Sequence, residues 1–192
     1  MHRIIRLFAL AAALWAGASG AQNLVVNGSF DANTAGWQLD GVGTLSWSSL
    51  DAQGHPGSGS MLLVNGNAGP GFGTAVRQCV SVQPGTRYAI SAKALVRSGP
   101  GQSLVNQTRP TYRFHSSAGC GAPVSGQIDL FSAVTEFDQW QRGGPTLLTA
   151  PGNAVAVELR GLISKLVDGT TPAGQFDDFE FVLMDPFASG FE

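Results

Sequence analysis

Beyond residue 22, the sequence has no segment of twelve or more residues that keeps a 3.6-residue hydrophobic period without a glycine or a proline. Short runs that alternate apolar and polar residues lie between turn signals instead. In the clearest run, residues 87–97, one face would carry Tyr88, Ile90, Ala92, Ala94 and Val96. Short strands separated by turns predict an all-β fold, and we expect a single β-sandwich.

A second alternating run covers residues 154–160. In it, Val155, Val157 and Leu159 would point inward, and Glu158 and Arg160 would point outward. Pro84-Gly85 and Pro151-Gly152 supply turn signals between such runs. Further short runs of the same kind occupy residues 24–26, 44–48, 61–65, 75–82, 111–115, 126–131, 146–149 and 176–183.

The first 21 residues have the pattern of an export signal, because a basic start precedes an apolar run from Ile4 to Trp15 and a small-residue stretch. That run is shorter than the roughly 20 apolar residues needed to span a bilayer. We predict a signal peptide at 1–21, cleaved after Ala21 or, as the alternative, after Gly20. The protein should then be secreted or periplasmic, without membrane insertion, and residues 22–184 should form one domain.

The charge of the sequence argues against a nucleic-acid-binding protein. Arg and Lys number 11 against 13 Asp and Glu, and no run of like charges occurs, so nucleic acid is a poor partner. Scarce lysine beside abundant Ala, Gly and Arg is typical of a GC-rich bacterial genome.

Cys79 and Cys120 are the only cysteines. In an exported chain they predict one disulfide, and two buried free thiols are the alternative. We expect a monomer.

The two ends of the domain carry the most specific motifs. Residues 23–31 read NLVVNGSFD and are followed by Gly36-Trp37, and the last strand, residues 176–183, reads FDDFEFVL. These ends, with Ser58-Gly59-Ser60 between them, resemble the galactose-binding-like jelly roll of carbohydrate-binding modules, especially the CenC-type modules. The resemblance implies a jelly-roll β-sandwich that binds poly- or oligosaccharide without catalysis, with Trp37 in the core.

The resemblance also implies a structural calcium ion that joins the first and last strands. Its ligands on this sequence would be backbone carbonyls and carboxylates from separated segments, a mixture that suits calcium. They are Ser29, Asp31, Gly59 and Asp177. The alternative is that Asp31 and Asp177 only cap turns.

A sugar site needs aromatic faces and polar side chains. The candidates that we select are Trp47, Tyr112, Arg113, Trp140 and Glu158, and further polar residues able to project from strands are Arg77, Arg97, His115 and Arg160. Trp47 shares its face with Leu45, so a core role stays open. Tyr112 and Phe114 oppose Arg113 and His115, so only one of these pairs can line a groove, and we favour Arg113. We expect the groove on a sheet face.

Two other functions stay open. Paired carboxylates can hydrolyse a glycoside, and the candidates for that role are Asp129, Glu136, Asp138 and Glu158. A structural or adhesive surface protein without a small ligand is the second alternative. The tail, residues 185–192, resembles a short GFE ending of exported bacterial proteins, and we expect it to be flexible and to serve as a sorting or docking tag.

Overall fold

The structure is a computed structural model that describes residues 22–184. The predicted signal peptide and the tail lie outside the described residues. Within residues 22–184 the chain forms ten strands and no helix. All pairings between the strands are antiparallel. The expectation of an all-β fold is confirmed.

The strands form two five-stranded sheets. Sheet 1 has the order β1-β4-β9-β6-β7, and sheet 2 has the order β2-β3-β10-β5-β8. The strand bounds are β1 Gln38–Asp40, β2 Gly43–Ser48, β3 Ser60–Asn65, β4 Phe72–Ser81, β5 Arg87–Leu95, β6 Gln107–His115, β7 Ile128–Asp129, β8 Gln141–Thr149, β9 Ala156–Lys165 and β10 Ala173–Leu183.

Aromatic residues from the two ends of the domain fill the core between the sheets. Phe176, Phe179 and Phe181 on β10 are almost completely buried. Trp37, from the opening motif, lies with its ring centroid 4.6 Å from that of Phe179, and Phe30 packs beside both. The core role of Trp37 is confirmed, and burial of these large rings is a main source of stability. The two ends of the domain therefore meet in one aromatic cluster.

The five apolar residues predicted to point inward in residues 87–97 are all buried, four on β5 and Val96 directly after it. The prediction of a half-buried strand was wrong, since Ala89, Ser91 and Leu95 on the other face are buried too.

On β9, Val157 and Leu159 are fully buried as predicted, but Val155 is 38% exposed. That part of the prediction was wrong because β9 begins only at Ala156. Gly161 on the inner face of β9 has no room for a side chain, since an added Cβ would lie 2.8 Å from the Phe176 ring.

Cys79 and Cys120 form a disulfide, which confirms the predicted pairing. Cys79 lies on β4, and Cys120 lies in the segment 116–125 that follows β6. The backbone N–H of Val124 donates to the carbonyl of Phe114, so this segment folds back on β6. The disulfide thereby ties the segment across sheet 1 to β4. A disulfide of this kind fits an oxidising compartment.

Candidate functional site

The outer face of sheet 1 gathers arginines that lie far apart in the sequence. Because Leu159 points into the core, its neighbours Glu158 and Arg160 point away from it. The strand register places Glu158 beside Cys79 on β4 and Arg113 on β6, and places Arg160 beside Arg77 and Thr111. We call this surface the arginine face, and its charged residues are Asp40, Arg77, Arg109, Arg113, Asp129, Glu158 and Arg160.

Glu158 is the centre of the arginine face, and it is completely buried. Its Oε2 accepts hydrogen bonds from Arg113 Nη2 at 2.6 Å and Nε at 3.2 Å, and its Oε1 accepts one from Arg77 Nη1 at 3.3 Å. Burial alone would raise the pKa of this carboxyl, but the hydrogen bond from Arg113 and the charges of Arg160 and Arg113 outweigh burial and lower it. Glu158 is therefore ionised and held between two guanidinium groups.

His115 lies next to this cluster, with Nε2 3.3 Å from Glu158 Oε2. Its side chain is 1% exposed. Burial lowers the pKa of His115, because it outweighs the attraction of Glu158, which acts in the opposite direction. The imidazole is therefore neutral at pH 7, so the charge of Glu158 is balanced by arginines alone.

The other two arginines of the face each have one carboxylate partner. Arg160 Nη2 lies 3.0 Å from Asp40 Oδ2 on β1, and Arg109 Nε lies 3.2 Å from Asp129 Oδ2 on β7. Arg160 and Arg109 are largely buried, whereas Arg77 and Arg113 are 39% and 28% exposed. Water and a ligand therefore reach the arginine face mainly at Arg77 and Arg113.

A cavity of about 200 Å³ opens beside Arg77. Its walls come from β4, from the chain entering β1, and from the segment that the disulfide holds in place, through Gly36, Gln38, Arg77, Cys79, Gly119 and Cys120. Small-molecule pockets usually measure about 300–1,000 Å³. This cavity therefore suits one part of a ligand that continues along the open face.

The structure separates the five residues that we predicted for sugar binding. Arg113 and Glu158 lie together on the arginine face, but the burial of Glu158 prevents direct contact with a ligand. Tyr112 is 5% exposed and packs edge-on against Phe114 in the core. Because Tyr112 and Arg113 are consecutive residues of β6, they point to opposite faces. The structure therefore places Tyr112 and Phe114 in the core, and of the opposing pair only Arg113 is partly exposed, because His115 is buried as well.

The two tryptophans predicted to bind sugar lie in, or directly before, strands of sheet 2. Trp47 lies on β2, and its Nε1 donates a hydrogen bond of 2.7 Å to the carbonyl of Phe30. Trp140 immediately precedes β8, the edge strand of sheet 2. Arg97, another candidate from the sequence, pairs with Asp138 at 2.7 Å and is not on the arginine face. Trp47, on β2, therefore lies on the sheet opposite Arg113.

Sequence reasoning did not assign Asp40, Arg109 or Gln38 to the site. Arg109 was detectable in principle, because it is four residues before Arg113 on the same strand and therefore shares its face. Asp40 and Gln38 lie on β1, whose three residues give no alternation signal. Their position follows only from the pairing of β1 with β4.

Three of the four residues predicted to bind calcium, Ser29, Asp31 and Gly59, lie close together around Ser58. The hydroxyl of Ser58 lies 3.3 Å from both the carbonyl of Ser29 and Oδ1 of Asp31, and Gly59 is its neighbour. An added Cβ at Gly59 would lie 2.1 Å from the carbonyl oxygen of Ser48. Only glycine therefore fits at this position, which keeps the backbone close to the neighbouring strand.

Asp177 is completely buried. Its carboxylate accepts hydrogen bonds from the backbone N–H groups of Ala52 at 2.9 Å and Asp178 at 2.7 Å. Burial, together with the nearby charges of Asp178 and Asp51, raises the pKa of Asp177 to about 7. The negative charges of Asp178 and Asp51 are unfavourable for an ionised Asp177, and a bound cation would offset them. Asp51 is a neighbour that sequence reasoning missed.

Side chains alone do not complete a metal site here. Within residues 22–184, no group of three or more His, Cys, Asp or Glu side chains has an arrangement that could hold a metal ion. A calcium site would therefore depend on backbone carbonyls, such as that of Ser29, in addition to Asp31 and Asp177.

Comparison with known proteins agrees with this architecture. A family model described as a carbohydrate binding domain matches residues 22–119. This match spans more than half of the chain, and the chain belongs to that family of carbohydrate-binding domains. The resemblance inferred from the sequence motifs is thereby confirmed, and the protein is a carbohydrate-binding module. No curated protein matches the chain.

Solved structures share the fold at low sequence identity. The xylan-binding domain from CBM 22 has a TM-score of 0.57 and 16% identity, over 84% of this chain and 95% of that chain. TmCBM61, solved in complex with β-1,4-galactotriose, has a TM-score of 0.53 and 12% identity, over 85% of this chain and 100% of that one. The enzymatically active domain of bacteriophage CBA120 tailspike protein 4 has a TM-score of 0.63 and 17% identity, over 84% of this chain. This chain spans only 21% of that tailspike chain.

Among residues 22–184, no helix has the length and apolarity needed to cross a bilayer.

Proposed function

We propose that this protein is an exported, non-catalytic module that binds a poly- or oligosaccharide along the arginine face. The observation that carries the proposal is the convergence of Arg77 and Arg113 on an open sheet face, beside a cavity formed by the disulfide-linked segment. A guanidinium group has five N–H donors, which the oxygen atoms of a sugar can accept. Membership of a carbohydrate-binding family supports the ligand class.

The opposite face of the sandwich is less suitable for a sugar chain. On sheet 2, the segment after β2 covers part of the outer surface, because the N–H of Ala52 reaches the buried carboxylate of Asp177. Gln175 on the same strand is also buried, and it bonds to Ser60 and Ser48. Polar groups that are already satisfied within the protein contribute little to ligand binding.

The environment of Glu158 supports a binding role rather than hydrolysis. A general acid in glycoside hydrolysis needs a raised pKa so that it can donate a proton near neutral pH. The arginines instead lower the pKa of Glu158. The disulfide supports export, because such bonds persist in oxidising compartments.

A glycan array probed with the purified protein tests this function. We expect retention on at least one class of poly- or oligosaccharide without release of sugar products. NMR titration with the retained glycan should shift amide signals of β4, β6 and β9 more than those of β5 and β8. Shifts confined to sheet 2 would show that the glycan binds there and not on the arginine face. Release of sugar products would show that the protein is catalytic. No retention on any glycan would contradict the proposed function.

We also propose that calcium stabilises the domain at a site formed by Ser29, Asp31, Gly59 and Asp177. The ion would neutralise the buried Asp177 carboxylate and bridge the first motif to β10, while the carbonyls of Ser29 and Gly59 complete the oxygen ligands. Such an ion binds the folded state only. Free calcium at a hundred times the dissociation constant would therefore stabilise the fold by about 2.7 kcal/mol.

Melting curves in chelator and in millimolar calcium measure this effect. We expect calcium to raise the melting temperature of the unmutated protein by several degrees and to have little effect on Asp177→Asn. Asp178→Asn is the matched control, because Asp178 pairs with Lys93 at 2.8 Å and asparagine tolerates its left-handed backbone. Identical melting temperatures in the two media for the unmutated protein would rule out a structural calcium ion.

A further inference from the structure

We infer that the arginine face selects an acidic glycan, one that carries carboxylate or sulfate groups. This inference rests on the proposed function, because it names the chemical class of ligand for the same face. It follows from the charge balance of the face, from the exposure of its two central arginines, and from the charge of the remaining surface.

The charges of the arginine face leave one positive charge without a partner. Arg160 pairs with Asp40, and Arg109 pairs with Asp129. Arg77 and Arg113 share the single carboxylate of Glu158. Four arginines therefore face three carboxylates, and the neutral His115 does not change this balance. The excess positive charge lies at Arg77 and Arg113.

That excess charge is accessible, whereas the carboxylate beneath it is not. Glu158 has no exposed surface, but Arg77 is 39% exposed and lines the cavity beside the disulfide. Arg77 makes one hydrogen bond to Glu158, through Nη1, although a guanidinium group has five N–H donors. Donors remain on Arg77 for a ligand anion, and planar guanidinium groups bind carboxylates and sulfates better than they bind neutral hydroxyls.

The remainder of the molecule has the opposite charge. The whole chain carries a formal net charge of −2, from 11 basic and 13 acidic residues. Without Arg3 and Arg6 of the predicted signal peptide, and without the four arginines and three carboxylates of the arginine face, five basic residues remain against ten acidic ones. An acidic glycan is therefore repelled by most of the surface and attracted to this face, which favours a single orientation of binding.

The position of the predicted aromatic residues agrees with a ligand held by charge. Tyr112 is in the core, Trp47 lies on sheet 2, and Trp140 directly precedes a strand of sheet 2. Neither Tyr112 nor Trp47 can therefore stack on a sugar ring bound at Arg77 and Arg113. Hydrogen bonds and ionic contacts then supply more of the binding energy, and ionic contacts at an exposed face weaken with salt.

Retention on matched pairs of glycans tests the ligand class. Polygalacturonate is compared with its methyl-esterified form, which has the same backbone without the charge, and dextran sulfate is compared with dextran. We expect at least tenfold stronger retention of one acidic member over its neutral counterpart, and loss of that preference at about 0.5 M salt. Retention of polygalacturonate alone assigns a carboxylate ligand, and retention of dextran sulfate alone assigns a sulfated one.

Variants locate the effect on the arginine face. Arg77→Ala should reduce retention of the acidic glycan about tenfold. Arg142→Ala is the matched control and should leave it unchanged, because Arg142 is 50% exposed on β8 of sheet 2. Asp40→Asn removes an exposed carboxylate beside Arg160 and should strengthen retention several-fold. Arg77→Ala could lower the melting temperature too far for a binding assay. In that case, the stronger retention of the acidic glycan expected for Asp40→Asn tests whether it binds the arginine face.

The outcomes separate this inference from the proposed function. Equal retention of charged and uncharged members, without dependence on salt, overturns the acidic ligand and leaves carbohydrate binding intact. Equal losses in Arg77→Ala and Arg142→Ala would show nonspecific charge attraction and overturn the assignment to this face. An unchanged or weaker retention by Asp40→Asn would also count against it. Failure to retain any glycan on the array contradicts both proposals.

Discussion

Removal of the Cys79–Cys120 disulfide is expected to lower the free energy of unfolding by about 4 kcal/mol. The two cysteines are 41 residues apart, and a crosslink that closes a loop of this length restricts the unfolded chain by that amount on the chain-entropy relation. The variant is Cys79→Ala with Cys120→Ala. Cys120 has a positive φ of 55°. Cysteine and alanine are equally unfavourable in this backbone conformation, so the substitution at position 120 adds no backbone strain. Urea unfolding followed by fluorescence measures the difference.

The oxidised protein should contain no alkylatable thiol before reduction, and reduction followed by alkylation should reproduce the loss seen in the double variant. Because the disulfide holds Gly119 and Cys120 against β4, the same variant should also change glycan retention at the arginine face. Two free thiols in the untreated protein, or an unchanged urea midpoint in the double variant, would contradict this expectation.

Replacement of Glu158 with alanine is expected to cost about 3 kcal/mol. Breaking a buried ion pair by removing one partner usually costs about 3–5 kcal/mol. The lower end applies because Arg77 and Arg113 keep partial contact with water. Glu158→Gln is the matched control, since it keeps the shape and accepts one hydrogen bond while it removes the charge. We expect its loss to be smaller, and urea unfolding at pH 7 compares the three proteins.

The pH dependence of this loss follows from the lowered pKa of Glu158. A carboxyl whose pKa is lower in the folded protein stabilises the fold above its ordinary pKa of 4.5, and this contribution is lost as the pH falls through the folded value. The difference between the unmutated protein and Glu158→Gln should therefore shrink below pH 4.5. A difference that stays constant down to pH 3 would show that the charge of Glu158 does not stabilise the fold.

Much of the fold was predictable because local patterns reflect local burial. Alternation on β5 identified its buried face, and glycine-rich turns with short strands identified a β-sandwich. The motifs at the two ends identified the family, and they also placed Trp37 in the core. The disulfide was predictable because an exported chain with only two cysteines allows only one intramolecular pairing. Each of these inferences needs only neighbouring residues or the count of one residue type.

The candidate site was less predictable, because alternation assigns residues to two faces without identifying which face is buried. Tyr112 and Arg113 were therefore open alternatives in the sequence, with Arg113 favoured, and the structure places Tyr112 in the core against Phe114. Trp47 is an aromatic residue of the expected kind, but the sheet order places it on the sheet opposite Arg113.

The sequence by itself determined the all-β class, the family, the disulfide and the inward residues of β5. Only the tertiary structure decided that Glu158, predicted as an exposed ligand residue, is buried between Arg77 and Arg113. Those partners are 81 and 45 residues away in the chain. Their meeting depends on the register of β4 and β6 against β9. Strand register arises from the packing of the whole sandwich, and no local pattern in any one strand encodes it.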